Sequence, residues 1–334
     1  MKILFLCSLL TPFIHSFLHG INWFGMETDH ECLGGLWKHS IDFYLQGLHQ
    51  QGWNAIRVPL CAQSILENPI IPPDLFQGDS VLFSQEIRYL DLLDILFQKT
   101  YTLSIQLLLD IHRLKPALTT PLWYIPNDPF WTYYRLWDVY DLLLFRYLSQ
   151  PHFLGLDLFN EPHYMASFGD NNISTDWRLF SQESIHYLFQ SHPIVNTSLT
   201  FTISGIDWGK NLSLLSLYPY AFPSDFKKHI MFSPHLYGPS LNYIPSYEKS
   251  SLYHYWDLLF GNETSPSHLW IGEWGGRFMD PLDHKWLSIF WQYFLEKNIS
   301  GHFFWALNPD SKDVDGLLDP SWDTWNEPVR SFFF

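Results

Sequence analysis

The chain has 334 residues, 47% of them apolar, enough for one large packed core and too many for a disordered protein. Thirty-four acidic against 19 basic side chains leave a net charge of −15. That balance argues against polyanionic ligands, so neither nucleic acid nor an anionic membrane is expected as a partner. Aromatic residues reach 19%, with 16 Trp, and core packing alone rarely uses so many; wet grooves that grip flat, neutral ligands do.

The first residues, MKILFLCSLLTPFIHS, place one Lys before an apolar run from Ile3 to Leu10. The pattern resembles a secretory signal peptide and is too short to span a bilayer. No A-x-A-like cleavage context follows, so a mature N-terminal strand or an incomplete gene start are the alternatives. Residues 1–16 are read as a signal segment and 17–334 as one domain. Sequons at Asn172, Asn196, Asn211, Asn262 and Asn298 agree with secretion. No later run reaches transmembrane length. Cys7, Cys32 and Cys61 are too few for a disulfide framework and lack zinc-site spacing. Without the leader, Cys32 and Cys61 remain, either as a pair or as two free buried thiols.

Strand-like runs follow near His19–Gly25, Asn54–Pro59, Leu103–Ile111, Phe153–Phe159, Leu199–Ser204, His229–Ser233, Leu269–Gly272 and Gly301–Ala306. Helical patterns lie between them. Ile41, Tyr44, Leu45 and Leu48 form one stripe, with Gly52 suited to the position after its end. Ser84 is placed to cap a helix with stripe Ile87, Leu90, Leu93 and Phe97. Tyr134, Trp137, Asp141, Leu144 and Leu148 form a third stripe, and Pro151 stops it. Eight alternating units without a linker or repeat predict a single-domain α/β fold, the (β/α)8 TIM barrel.

In such a barrel the strand C-termini converge on one face, where catalytic groups belong. The fourth run delivers Asn160-Glu161-Pro162, and the seventh delivers Glu273 before Trp274, Gly275 and Gly276. A carboxylate at the end of an apolar strand is costly to desolvate, and burial raises its pKa toward what a general acid needs. Two such glutamates are the equipment of glycoside hydrolysis; each taken alone also fits a strand-end salt bridge. Other strand ends supply Arg57, which suits holding a carboxylate ionised, and Asp110-Ile-His112, His235-Leu-Tyr237 and Trp305.

Gly20-Ile-Asn-Trp-Phe-Gly-Met-Glu-Thr28, Ala55-Ile-Arg57-Val-Pro59, Asp110-Ile-His112, Asn160-Glu161-Pro162, His235-Leu-Tyr237, Gly272-Glu273-Trp274 and Trp305 with Asn308-Pro-Asp-Ser311 resemble, in family order, a cellulase of glycoside hydrolase family 5. The likeness runs from about residue 20 to 319. It implies a retaining endo-β-1,4-glucanase with Glu161 as acid/base and Glu273 as nucleophile. It further implies that Arg57 and Tyr237 contact the nucleophile and that Asn160 binds the sugar 2-hydroxyl. His112 and His235 would line the −1 subsite over a Trp305 floor. Trp23, Trp37 and Trp123 are weaker sugar-platform candidates, with core packing an even alternative.

Two departures stand out. Only about 19 residues precede the first strand, where relatives usually place a hairpin closing the barrel bottom. Lys312-Asp-Val-Asp-Gly316 replaces the Gly-rich continuation common in the family. The expected partner is a β-glucan, with a monomeric state and no metal or organic cofactor. Rival readings are the same chemistry on mannan, xyloglucan or β-1,3-glucan, and a non-catalytic glycan-binding barrel.

Overall fold

The computed structural model describes residues 17–194, 197–244 and 246–333; the expected leader, Cys7 and the Asn196 sequon lie outside them. The strands are β1 (Leu18–Asn22), β2 (Ala55–Cys61), β3 (Gln106–Arg113), β4 (Phe153–Asp157), β5 (Thr200–Ser204), β6 (Ile230–Ser233), β7 (His235–Tyr237), β8 (Trp270–Gly275) and β9 (Gly301–Phe304). Every ladder is parallel, in the order β6-β5-β4-β3-β2-β1-β9-β8-β7. β6 and β7 are two halves of one barrel strand. Pro234 has no N–H to donate and interrupts the ladder between them. β6 pairs with β5, β7 pairs with β8, and a Phe232–Leu269 bridge links β6 toward β8. The nine segments are thus the eight strands of the expected (β/α)8 barrel.

The helices are α1 (Ile41–Gln50), α2 (Ala62–Glu67), α3 (Ser80–Phe83), α4 (Tyr89–Thr102), α5 (Arg135–Tyr147), α6 (Trp177–Ser191), α7 (Ser224–Lys227), α8 (Lys249–Trp256), α9 (Pro281–Glu296) and α10 (Glu327–Phe333). In α1 the buried residues are Ile41, Tyr44, Leu45 and Leu48, the stripe expected from spacing. Gly52 follows with φ of 78°, the left-handed conformation that a glycine adopts most cheaply.

Two helix expectations need correction. Ser84 does not cap α4; it closes the short α3 instead, and Arg88 with Asp91 caps α4 five residues before Leu93. Ile87 is buried ahead of the helix, not on it. The face of α5 is rotated from the expected stripe: Leu136, Val139, Tyr140, Leu143, Leu144 and Tyr147 are buried, of which only Leu144 was expected. Trp137 and Leu148 are half-buried at its edge, Tyr134 is exposed and Asp141 pairs with His192. Both faces of that segment are apolar at helical spacing, so periodicity alone does not choose between them.

β3 begins later than expected because Leu103 still closes α4. Cys32 and Cys61 are both buried and unpaired, so the free-thiol alternative holds. Burial pushes the Cys61 thiol up, which makes it unreactive.

One apolar cluster gathers Leu18, Ala55, Leu108, Leu154, Met231, Trp270 and Phe303, one residue from each of seven strands. It is separate from the larger core between strands and helices and fills the lower barrel axis. The next level up is polar. Cross-strand register places Pro59, Asp110, Asp157 and Thr202 side by side on β2 to β5. This change from apolar to polar along the axis sets the platform for the site.

Candidate active site

Glu161 stands just beyond β4. Asn160 extends the sheet by donating its N–H to Ile111 O, and Glu161 then turns with φ of 51°. A non-glycine residue there costs on the order of 1 kcal/mol. Nδ1 of His163 lies 2.6 Å from the Glu161 carbonyl oxygen and, as a donor, holds the turn. The turn aims the Glu161 carboxyl into the barrel mouth, where 17% of the side chain stays exposed.

Glu273 comes from β8 and is nearly fully buried. Its Oε1 accepts from Arg57 Nη1 and its Oε2 from the Tyr237 hydroxyl, each at 2.6 Å. Both contacts were expected. One donor atom each of Glu161, His235 and Glu273 all lie within 4.8 Å of one another. The two glutamates therefore face a single small space.

Arg57 is completely buried and its fork is fully used. Nε donates to Asp157 Oδ2 at 3.0 Å, Nη1 to Asn22 Oδ1 at 3.0 Å and Nη2 to Asn160 Oδ1 at 2.9 Å. Asp110 Oδ2 also lies 3.1 Å from Nη2. One cation thus faces three carboxylates. Burial outweighs its attraction and pushes Asp110 and Asp157 each up to about 7.

Asn160 and His112 complete the floor. Arg57 takes the amide oxygen of Asn160, so the NH2 group points toward His112 Nε2 at 3.3 Å. His112 Nδ1 sits 2.6 Å from Asp110 Oδ2. A consistent set of donors puts the His112 proton on Nδ1 and leaves Nε2 as acceptor. Burial lowers His112 to about 4, in keeping with a neutral ring.

The mouth is a cleft of about 420 Å³ lined by Glu161, His112, His235, Tyr237, Glu273 and Trp305, with Trp208, Lys210, Leu241, Asn242 and Asp313 on its walls. Six of the eight site residues named from sequence line this cleft, and the other two, Arg57 and Asn160, lie behind it in contact with Glu273 and His112. Trp305 packs in near-parallel orientation with His112 and with Phe24, at ring-centroid distances of 5.6 and 5.3 Å. Asp313 brings the divergent 312–316 loop to the rim, and Asp315 anchors it by accepting from Phe278 N at 2.8 Å.

The weaker platform candidates divide. Trp23 and Trp123 are buried core residues, against Tyr44 and Phe180 respectively. Trp37 is half-buried against Trp322.

The sequence reading missed Trp208. It lies in a tight loop after β5, where Asp207 and Trp208 both adopt left-handed φ, and its ring stacks on His163 at 3.6 Å. Its signal was a Trp next to glycine directly after a strand C-terminus. Trp208→Ala is expected to raise KM for oligosaccharides by about 3–10-fold, as a lost ring-stacking contact does. Steady-state kinetics on a graded oligosaccharide series checks this.

Asp110, His112 and Glu273 form a second donor grouping like that of Glu161, His235 and Glu273. Both groupings border the Arg57 guanidinium, which already neutralises part of their charge.

The model of the Cellulase family (glycosyl hydrolase family 5) matches residues 14–311. The chain belongs to glycosyl hydrolase family 5. An endoglucanase of Paenibacillus polymyxa is 32% identical to this family 5 enzyme over 332 residues, covering 93% of this chain and 80% of its own. The major extracellular endoglucanase of Xanthomonas campestris pv. campestris is 29% identical, over 91% of this chain and 64% of its own. The hyperthermophilic endocellulase of Pyrococcus horikoshii superposes with a TM-score of 0.85 at 26% identity, over 95% and 92% of the two chains. That endocellulase has also been solved with cellotetraose. The family 5 enzyme is a glycoside hydrolase, and among its described residues no helix is long and apolar enough to cross a membrane.

Proposed function

We propose that this enzyme is a secreted, retaining endo-β-1,4-glucanase that cuts internal bonds of cellulose or a related β-glucan. Glu161 protonates the departing glycosidic oxygen while Glu273 attacks the anomeric carbon. Water, deprotonated by Glu161, then releases the glycosyl-enzyme. Arg57 and Tyr237 hold the nucleophile, Asn160 takes the 2-hydroxyl, His112 and His235 line the −1 subsite, and Trp305 floors it. This chemistry needs no cofactor.

The observation that carries the reading is the approach of Glu161 and Glu273 oxygens within 4.8 Å. Retaining enzymes hold their carboxyl groups about 5–5.5 Å apart, whereas inverting ones leave about 6.5–9.5 Å for a water. The relatives' endoglucanase and endocellulase names support the substrate class. Exposed sequons at Asn172, Asn262 and Asn298, and a relative named as extracellular, support secretion.

Burial pushes Glu161 up to about 7, so it is protonated below that pH. The alkaline limb of kcat/KM is expected near pH 7. The acid limb falls where His112 takes a proton at about 4 and turns Nε2 into a donor against the Asn160 NH2 group.

Reducing-end release from carboxymethyl cellulose, mannan and laminarin tests the substrate, and NMR of the first-formed anomer tests the stereochemistry. Glu161→Gln is expected to lose about 10²–10⁴-fold on carboxymethyl cellulose while sparing aryl cellobiosides with activated leaving groups. Its alkaline limb should disappear. An α-anomer as first product, or undiminished cellulose turnover in Glu161→Gln, would overturn the reading.

A further inference from the structure

His235 has one nitrogen in use and one unspent. Nδ1 lies 2.9 Å from Glu161 Oε1 and 3.7 Å from Glu273 Oε2. Nε2 is buried and meets no hydrogen-bond partner within the protein. The hydroxyl of Ser233, two residues earlier on the same interrupted strand, is likewise buried and unpartnered. Both atoms converge on Gly272 of β8. A methyl group there would stand 2.1 Å from Ser233 Oγ and 2.7 Å from His235 Nε2. The absence of a side chain at Gly272 thus leaves one small polar space that the two atoms share. Buried polar atoms in such a space pair directly or through an internal water.

We propose that Ser233 is a positioning residue for the catalytic acid: its hydroxyl, turned into the shared space or bridged by one internal water, supplies the hydrogen bond to His235 Nε2 and so holds the proton on Nδ1. The inference rests on the reading of Glu161 as the acid. With its proton on Nδ1, His235 donates to Glu161 Oε1. The proton of the acid must then reside on the other oxygen, Oε2, from which it passes to the glycosidic oxygen. In the opposite tautomer Nδ1 is an acceptor. It draws the acid proton onto Oε1 and keeps it from the leaving group.

Other charged groups face this pair. They are Glu273 from β8, Arg57 from β2, Asp157 from β4, Asp110 and His112 from β3, and Tyr237 from β7. Lys210, which also lines the cleft, is already paired with Asp207 at 3.0 Å. None of them reaches Nε2, and the Ser233 hydroxyl is the unpartnered group that shares its space.

The test uses the full chain labelled with 15N-histidine. The His235 signals are identified by their loss in His235→Gln. The wild type is expected to show a protonated Nδ1 and an unprotonated Nε2 near pH 6.5. Ser233→Ala is expected to lose that pattern, and Ser233→Thr, which keeps a hydroxyl, to retain it. In kinetics, Ser233→Ala should lose about tenfold in kcat on cello-oligosaccharides, with KM and the kcat for activated aryl cellobiosides within twofold.

A wild-type proton on Nε2 would overturn the proposal. So would a Ser233→Ala enzyme that keeps the Nδ1–H pattern, or one that loses both substrate types equally. If the tautomer responds as expected but Glu161→Gln keeps full turnover on cello-oligosaccharides, the acid assignment fails and the Ser233–His235 link stands.

Discussion

Glu273→Gln is expected to reduce turnover by roughly 10⁴-fold or more on every substrate, activated or not, because in the proposed mechanism it removes the attacking atom itself. This separates it from Glu161→Gln, which should spare good leaving groups. The fold should survive, since a glutamine with its carbonyl oxygen toward Arg57 Nη1 keeps that bond and its NH2 group can donate to the Tyr237 hydroxyl oxygen, the two partners now 2.6 Å away. Glu273→Ala opens space for a small anion beside the anomeric carbon. Added azide should then restore part of the turnover on activated substrates and give a glycosyl azide of inverted configuration. Polarimetry and mass spectrometry of the product decide the point. Rescue with retained configuration, or wild-type rates in Glu273→Gln, would remove Glu273 from the nucleophile's role.

Arg57→Met is expected to cost about 3–5 kcal/mol of stability and at least a hundredfold in kcat. The substitution leaves Asp110, Asp157 and Glu273 without the guanidinium that each contacts within 3.1 Å. It also frees the Asn160 amide, whose orientation depends on Nη2. The stability loss should depend on pH with a definite sign. Asp110 and Asp157 already titrate at about 7, above their ordinary range, because burial opposes their charge. Below pH 7 they hold protons and need the cation less, so the penalty should shrink as pH falls from 8 to 5. Urea unfolding of wild type and mutant at both pH values measures this. Arg57→Lys should recover only part of the loss, because one ammonium cannot replace a fork that donates to Asp157, Asn22, Glu273 and Asn160. A melt unchanged by Arg57→Met would show that the cluster carries no stability.

Glu161 illustrates the usual tension between site and scaffold. Its carboxyl titrates at about 7 instead of 4.5 because burial disfavours the charge. The folded state therefore binds a proton more tightly than the unfolded chain. Stability from this group is present at low pH and is lost as pH rises from about 4.5 to 7. The burial that would suit Glu161 to the proposed acid role is the one that burdens the fold once the proton leaves.

Much of the barrel was legible in the amino-acid sequence because its signals are local. The α1 stripe, the Gly52 turn and the delivery of Glu161 and Glu273 at strand ends each depend on a handful of neighbouring residues. The motifs were equally local, and five of them place a side chain on the wall of one cleft, through His112, Glu161, His235 with Tyr237, Glu273 and Trp305. Choices between two similar local patterns were not legible. The buried face of α5 and the cap of α4 were decided by what packs against them. Cys32 and Cys61 stayed free although both are buried, an outcome that neither cysteine's sequence neighbours encode.

The chain's local order determined where each candidate site side chain would emerge. Only the closed barrel decided what each would meet there. Arg57 and Glu273 are 216 positions apart and Arg57 and Asp157 are 100 apart, yet they share hydrogen bonds. Trp208 joins the cleft wall, and Ser233 and His235 both border Gly272, placements that no short motif carries. The physical reason is that a strand's pattern records whether a residue points inward or outward, whereas the identity of its neighbour is set by register and curvature across the sheet.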